Sequence, residues 1–190
     1  LIHDDVMDRA DIRRGKPTVC AKWGDTAAIL SGDTMLVLAY EFLAHVPSEK
    51  LPAMLALFTE TAKQIGDGQQ YDLDFEKRDD VSEAEYMEMI RLKTSVLLAA
   101  SLKLGGILAG ASDDDLYNLY KYGETMGLAF QLQDDLLDVY ADEKLFGKKI
   151  GGDICCNKKT FLLITAMNLA SPSQLAVMKE WMEKDVFDEK

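Results

Sequence analysis

The stretch Gln131-Leu132-Gln133-Asp134-Asp135-Leu136-Leu137-Asp138 places three carboxylates within five residues, near the end of a long amphipathic segment. Residues three and four apart share one face of an α-helix. One such stripe consists of Gly127, Gln131, Asp134 and Asp138, with Asp135 turned about 100° away. Acids packed this closely repel one another, and a hard cation such as Mg²⁺ relieves the repulsion because it binds carboxylates beside a phosphate. A solvated acidic patch is the alternative for one such motif.

The same Asp-Asp-x-x-Asp pattern occurs a second time, as Asp4-Asp5-Val6-Met7-Asp8. A single acidic patch explains only one of the two triads. Two matched triads on separate helices instead indicate a site in which several metal ions hold one polyanionic ligand.

The composition limits the kinds of partner. The chain has 190 residues, of which 48% are apolar and 28% charged, so it can build one sizeable core. Its net charge of −12 argues against nucleic acid, because a phosphate backbone requires a basic face. An anionic ligand would therefore need metal ions to mediate its binding.

Cysteine usage and hydropathy indicate the compartment. Cys20, Cys155 and Cys156 are an odd number without Cys-x-x-Cys spacing, which favours a reduced, cytoplasmic protein over a disulfide framework or a zinc site. No uninterrupted apolar run reaches the ~18 residues of a membrane span, so we expect none. Because the chain begins at Leu1, three residues before a functional motif, we expect it to be part of a longer protein.

Hydrophobic periodicity predicts helices nearly throughout and one all-α domain over residues 1–190. Ser82 with Glu85, and Ser112 with Asp115, have the spacing of helix N-terminal caps. The predicted helices are residues 1–9, 25–45 (largely buried), 48–77, 82–108, 112–141, 160–169 and one that begins near Pro172, with loops at 10–24 and 142–159.

Two further features suit a phosphate ligand. The adjacent guanidinium groups of Arg13 and Arg14 are able to make bidentate phosphate contacts, although an exposed basic loop explains them equally well. The polar stripe of Gln69, Asp72 and Glu76 has helical spacing, and a solvent-facing helix side is its simpler interpretation.

Lysines provide two more candidates. Lys93 and Thr94 stand at the edge of an apolar stretch, where a lysine either extends to water or points its ammonium into a pocket. The segment 146–153, which includes Lys148, and the following Lys158 and Lys159 form either a flexible basic loop or a glycine-hinged cover over an anion. A site that needs metals, phosphate donors and a lid accounts for all four features.

His3 has no partner at motif spacing and is interpreted as a helix-packing residue.

Taken together, these motifs resemble the trans-isoprenyl diphosphate synthases of the polyprenyl and geranylgeranyl diphosphate synthase type. Their order and spacing match over essentially the whole chain. The matching segments are residues 3–8, 13–18, 31–33, 68–72, 93–94, 127–138, 147–153 and 158–160.

The resemblance implies an all-α helical bundle around a central cavity, with the two triads on facing helices. It implies a single isoprenoid synthase domain that is truncated at both ends, and a homodimer. It also implies three Mg²⁺ ions held mainly by Asp4, Asp8 and Asp134. Further acidic residues close to the ions, or acting through water, would be Asp5, Asp72, Asp135 and Asp138.

The resemblance further implies condensation of an allylic diphosphate with isopentenyl diphosphate into a longer trans-polyprenyl diphosphate. Arg14 would bind the diphosphate of isopentenyl diphosphate. The residues implied at the allylic diphosphate are Arg13 and the catalytic Lys93, Thr94, Gln131 and Lys148. Lys158 would belong to the same polar rim, and Gln69 would be a further substrate-binding residue.

Two alternatives remain open. A class I terpene cyclase ionises the same kind of substrate, but its second metal motif is usually an Asn/Asp-Ser/Thr-Glu pattern. A non-catalytic partner subunit typically loses a triad, whereas both are intact here. The sequence alone does not indicate product length, allylic primer or pathway.

Overall fold

Helices account for most of the residues that the structure, a computed structural model, describes: 1–140, 151–155 and 158–182. This confirms the predicted all-α class. The helices of the described part are α1 (Ile2–Met7), α2 (Val19–Trp23), α3 (Asp25–Ala44), α4 (Leu51–Phe75), α5 (Glu83–Ile90), α6 (Val96–Ala109), α7 (Asp113–Tyr140), α8 (Gly152–Cys155), α9 (Phe161–Leu169) and α10 (Pro172–Met182).

The chain divides into two compact units, residues 1–55 and the remainder from Ala56 onwards. Helix α4 begins in the first unit and continues in the second. The prediction of a single domain stays a prediction.

In the first unit, α3 packs against α1 and α2. The predicted loop over residues 10–24 instead contains an antiparallel hairpin of β1 (Ile12–Arg13) and β2 (Lys16–Pro17), followed by α2. Its two central residues, Arg14 and Gly15, have φ values of 53° and 72°. Positive φ at both positions is the geometry of a tight two-residue hairpin turn.

The prediction that the helix over residues 25–45 is largely buried is wrong. Its buried residues are Ala28 and Leu43, whereas the side chains of Phe42 and Val37 are 76% and 67% exposed. Gly32 of α3 lies against His3 of α1, and the larger apolar residues of α3, except Leu43, are not covered by the described part of the chain.

Two described stretches, Asp25–Ala44 and Glu83–Ala109, are long and apolar enough to cross a membrane when judged by length and composition alone. Core helices of water-soluble proteins meet the same criterion, so this finding is weak evidence for a membrane span.

In the second unit, α5 contacts α7 and α9, while α6 lies along α7. A buried core in this unit consists of Phe75 at the end of α4, Val81, the α5 residues Tyr86, Met89 and Ile90, and Ile164 of α9. The predicted cap at Ser82 is confirmed: its hydroxyl accepts the Glu85 N–H at 3.2 Å, and its own N–H donates to the Glu85 carboxylate at 2.9 Å.

The predicted helix over residues 82–108 is interrupted. A π-helical turn, Arg91–Ser95, separates α5 from α6. The hydroxyl of Ser95 donates to the carbonyl of Ile90, five residues earlier, in keeping with the wider turn. The predicted loop over residues 142–159 contains α8, and its residues 142–150 and 156–157 lie outside the described residues.

Candidate active site

The first triad stands at the end of α1. Asp4 lies within the helix and Asp8 is its C-terminal cap, so the two are one helical turn apart. Asp4 is half-buried and Asp8 exposed. The central Asp5 is only 4% exposed, and its carboxylate accepts a hydrogen bond from Arg13 Nε at 2.5 Å. The triad therefore has two outer carboxylates near water and a central one held by the protein.

The hairpin positions Arg13 for this contact. Thr18, directly after β2, donates its hydroxyl to the carbonyl of Ala10 at 2.6 Å and caps α2 by accepting the N–H of Ala21. The Cys20 thiol lies 3.1 Å from the Thr18 hydroxyl. Arg14 is exposed at the turn.

His3 fastens α1 to α3. Its Nε2 is 3.0 Å from the carbonyl of Ile29 and 3.4 Å from the Asp33 carboxylate. The imidazole lies against Gly32 so closely that a β-carbon there would be 2.3 Å from Nε2. This confirms His3 as a helix-packing residue.

In the second unit, the π-helical turn carries Lys93 and Thr94. It approaches two helices at glycines. A β-carbon at Gly68 of α4 would lie 2.4 Å from the Lys93 backbone nitrogen, and one at Gly127 of α7 would lie 2.5 Å from the Cα of Ser95. Only glycine permits this close approach of backbones.

Lys93 pairs with α4. Its amine lies 2.5 Å from the Asp72 carboxylate, and the two side chains are only 23% and 15% exposed. Gln69, one turn earlier on the same face, is 9% exposed. Neither its amide oxygen nor its amide nitrogen has a hydrogen-bond partner among the described residues.

A hydrogen-bonded chain crosses from the π-helical turn to α7 and α5. Thr94 donates its hydroxyl to Gln131 Oε1 at 3.1 Å, and Gln131 Nε2 donates to Asp135 Oδ1 at 3.0 Å. The other oxygen, Asp135 Oδ2, accepts the Tyr86 hydroxyl and, at 3.4 Å, the backbone N–H of Phe161. Asp135 is 4% exposed.

Burial raises the pKa of the Asp135 carboxyl, although the donors of Tyr86, Gln131 and Phe161 oppose the shift. Burial also raises the pKa of Tyr86, and the charge of Asp135 adds to that shift. Tyr86 therefore remains a neutral hydrogen-bond donor.

The second triad ends at Asp138, which hydrogen-bonds the start of α8. Asp138 Oδ2 accepts the Asp153 N–H at 3.1 Å, and its carbonyl accepts the Gly151 N–H at 2.7 Å. Burial raises the pKa of Asp153 to about 6, against the opposing charge of Lys158, whose amine lies 3.9 Å away.

The two triads agree in their central residue but not in their outer ones, since Asp138 of the second triad is also buried, at 8% exposure, and hydrogen-bonded by the protein. In each, the central aspartate is buried and bound by the protein, Asp5 by Arg13 and Asp135 by Tyr86 and Gln131. Within the described ranges, no three His, Cys, Asp or Glu side chains already converge as a metal site. The metal and substrate roles of the predicted residues stay predictions. Lys148 lies outside the described residues.

Sequence reasoning missed Tyr86. It lies 49 residues before Asp135, and no local motif links the two. Tyr86 precedes Lys93 by seven residues, about two helical turns, which in a regular helix would place both on one face. The π-helical turn that carries Lys93 disturbs this spacing.

Comparison with known proteins agrees with this arrangement. The family model described as polyprenyl synthetase matches residues 1–190, and the chain belongs to this family. The geranylgeranyl diphosphate synthase of Methanosarcina mazei is 46% identical over 168 residues, which are 87% of this chain and 52% of that protein. The chain spans about half the length of the curated relatives it matches.

Solved structures show the same fold. A crystal structure of geranylgeranyl pyrophosphate synthase matches 99% of this chain, and 58% of its own, with a TM-score of 0.92 and 44% identity. The geranylgeranyl pyrophosphate synthase of Corynebacterium glutamicum, complexed with isoprenyl diphosphate and magnesium, has a TM-score of 0.87 and 31% identity over 99% of this chain and 58% of that one. The resemblance drawn from the sequence motifs is confirmed.

Proposed function

We propose that this protein is a Mg²⁺-dependent prenyltransferase that condenses an allylic diphosphate with isopentenyl diphosphate to form a longer trans-polyprenyl diphosphate. The observation that carries the proposal is that both triads are intact and that the protein holds the central carboxylate of each, which leaves Asp4, Asp8 and Asp134 as the least buried carboxylates of the two motifs. The names of the relatives, geranylgeranyl diphosphate synthases among them, support the same activity.

The donor set fits Mg²⁺, which prefers carboxylate oxygens together with phosphate oxygens. We assign three ions, with Asp4, Asp8 and Asp134 as their main protein ligands. Gln69 lies three residues before Asp72, on the same helix face, and Asp72 is paired with Lys93. The unsatisfied amide of the buried Gln69 supports a polar ligand in the second unit. When bound, Mg²⁺ supplies positive charge that stabilises the departing diphosphate.

The chain's own side chains bind and orient the substrates. Lys93, Thr94 and Gln131 donate to the allylic diphosphate, since all three lie on or against the π-helical turn. Arg13 uses its Nε for Asp5 and keeps further N–H groups for phosphate oxygens. Arg14 binds the diphosphate of isopentenyl diphosphate.

The reaction breaks the allylic C–O bond, and the bonding electrons leave with the diphosphate. The double bond of isopentenyl diphosphate then attacks the allylic cation, and loss of a proton from the new carbon skeleton restores a double bond. Fixed cationic donors stabilise the diphosphate more as its charge grows than in the ground state. The cation requires a site that excludes water.

The two alternatives are not favoured. A non-catalytic subunit is opposed by the intact triads, and a terpene cyclase by the second Asp-Asp-x-x-Asp and by relatives that are named as diphosphate synthases.

Two measurements test the function. Isopentenyl transfer to an allylic diphosphate should require Mg²⁺ and should stop in EDTA. At a ligand concentration 100 times the dissociation constant, Mg²⁺ with inorganic pyrophosphate should stabilise the fold by roughly 2.7 kcal/mol. A melting curve that is the same in EDTA and in Mg²⁺ with pyrophosphate would rule out the proposed site.

We also propose that the protein works as a homodimer in the cytoplasm. The apolar side chains on α3 support a protein partner, since Phe42, Val37 and Leu30 are 76%, 67% and 61% exposed. The free thiol of Cys20 supports a reducing compartment. Sedimentation of the protein at micromolar concentration distinguishes a dimer from a monomer, and a monomer would overturn this assignment.

A further inference from the structure

We propose that Tyr86, which lies outside both aspartate motifs, is a positioning residue whose hydroxyl fixes the orientation of Gln131 and Thr94 through the Asp135 carboxylate. The inference rests on the proposed function, in which Gln131 and Thr94 contact the substrate diphosphate. Tyr86 itself touches neither substrate nor metal in this assignment.

Tyr86 is placed to act as a fixed point. It is 2% exposed and packs among core residues of α4, α5 and α9. Its ring lies 6.2 Å from that of Phe161 at an angle of 52°. Because the ring is held on several sides, the hydroxyl has little freedom to move, and it donates to Asp135 Oδ2.

Asp135 passes this orientation on. Its Oδ2 accepts hydrogen bonds from the Tyr86 hydroxyl and the N–H of Phe161, which fixes the orientation of the carboxylate. In that orientation, Oδ1 accepts a hydrogen bond from Gln131 Nε2 at 3.0 Å. That bond determines which end of the Gln131 amide faces Thr94, and Gln131 Oε1 accepts the Thr94 hydroxyl at 3.1 Å. Without the Tyr86 hydroxyl, the carboxylate is able to rotate and the amide to flip.

Simple core packing is the competing explanation for Tyr86. It requires the ring, whereas positioning requires the hydroxyl and an intact Gln131. Tyr86→Phe keeps the ring and removes only the hydroxyl. If Tyr86 is a positioning residue, the effect of this substitution on ligand affinity should depend on whether Gln131 is present, whereas a packing role predicts no such dependence.

The test measures the dissociation constant of inorganic pyrophosphate in excess Mg²⁺ by calorimetry. Four proteins form the cycle: unaltered, Tyr86→Phe, Gln131→Ala and the double variant. We expect Tyr86→Phe to weaken binding about tenfold in the unaltered background and to have no further effect beside Gln131→Ala. The control is Tyr122→Phe, which removes a hydroxyl from an exposed residue of α7, the helix that also carries Gln131. This variant should bind pyrophosphate as the unaltered protein does.

A second measurement needs no Tyr86 variant. The ring resonances of ¹³C-labelled Tyr86 should shift when Mg²⁺ and pyrophosphate are added to the unaltered protein, and should stay in place in Gln131→Ala. Three results would overturn the positioning role. They are an unchanged pyrophosphate affinity in Tyr86→Phe, a loss of affinity from Tyr86→Phe that is as large in the Gln131→Ala background, and Tyr86 resonances that do not shift in the unaltered protein. Failure of the unaltered protein to bind pyrophosphate would instead overturn the proposed function.

Discussion

The amine of Lys93 lies 2.5 Å from the carboxylate of Asp72, so an ion pair ties the π-helical turn to α4. Both side chains are largely buried, at 23% and 15% exposure. Each residue is a proposed site residue, and in the absence of ligand each neutralises the other. The pair therefore keeps a lysine and a carboxylate together without leaving either charge unsatisfied.

Substitutions that break the Lys93–Asp72 pair should lower the free energy of unfolding, and their effects should not be additive. Asp72→Asn and Lys93→Met should each lower the free energy of unfolding by roughly 1.5–3 kcal/mol, because each leaves a largely buried charge without its partner. The double variant should lose less than the sum, with a coupling energy of about 1 kcal/mol or more. Urea unfolding of the four proteins measures this.

The pair of Lys63 and Glu60, at 68% and 57% exposure on the same α4, is the matched control. Exposed pairs of this kind contribute between about 0 and 1 kcal/mol. Additive losses at Asp72 and Lys93, equal to those at the control pair, would contradict the structural role of the buried pair.

The aspartates should differ in their effect on turnover. Asp4→Asn and Asp134→Asn should each lower isopentenyl transfer on the order of 100-fold or more, because the ions that we propose these residues hold would stabilise the leaving diphosphate. Asp113→Asn should have little effect, since Asp113 lies in the first turn of α7 and interacts with the helix dipole. Steady-state kinetics of the three variants measures the difference. Similar losses from Asp113→Asn and Asp134→Asn would show that the site is misplaced.

Local patterns predicted much of this structure. Helix geometry alone places Asp135 about 100° from Asp134. Burial does not follow the predicted stripe, however, since Asp138, on the same predicted face as the half-buried Asp134, is buried as Asp135 is. The cap at Ser82 was equally local, because its partner Glu85 is three residues away.

The π-helical turn could not be predicted in this way. It depends on Gly68 and Gly127, which come from two other helices and allow their backbones to approach residues 91–95. The partner of Asp135 is likewise a tertiary contact, since Tyr86 is 49 residues away. For α3, periodicity indicated an apolar helix but carried no information on which element covers it.

The close approach at Gly127 makes a second stability prediction. In Gly127→Ala, the new β-carbon would lie 2.5 Å from Ser95 Cα and 2.7 Å from its hydroxyl oxygen. The π-helical turn would have to shift, and we expect a loss of about 1–3 kcal/mol in the free energy of unfolding. Gly66→Ala on the exposed side of α4 meets nothing within 4 Å and should instead stabilise the fold by about 0.5–1 kcal/mol. Equal effects of Gly127→Ala and Gly66→Ala on the free energy of unfolding would show that the close contact at Gly127 does not limit stability.

The capping box at Ser82 should make part of the stability depend on pH. The N–H and hydroxyl of Ser82, together with the Arg78 guanidinium, lower the pKa of Glu85 from 4.5 to about 2. Because the pKa is lower in the folded state, the contribution of Glu85 is complete above pH 4.5 and is lost as the pH falls towards 2. We expect Glu85→Gln to melt below the unaltered protein at pH 6, and the gap to narrow as the pH is lowered from 5 to 3. Calorimetry at several pH values measures the gap, and Glu83→Gln, in the same first turn, reports any general effect of removing a carboxylate. A gap for Glu85→Gln that stays constant between pH 6 and pH 3 would show that the ionised carboxylate is not what stabilises this end of α5.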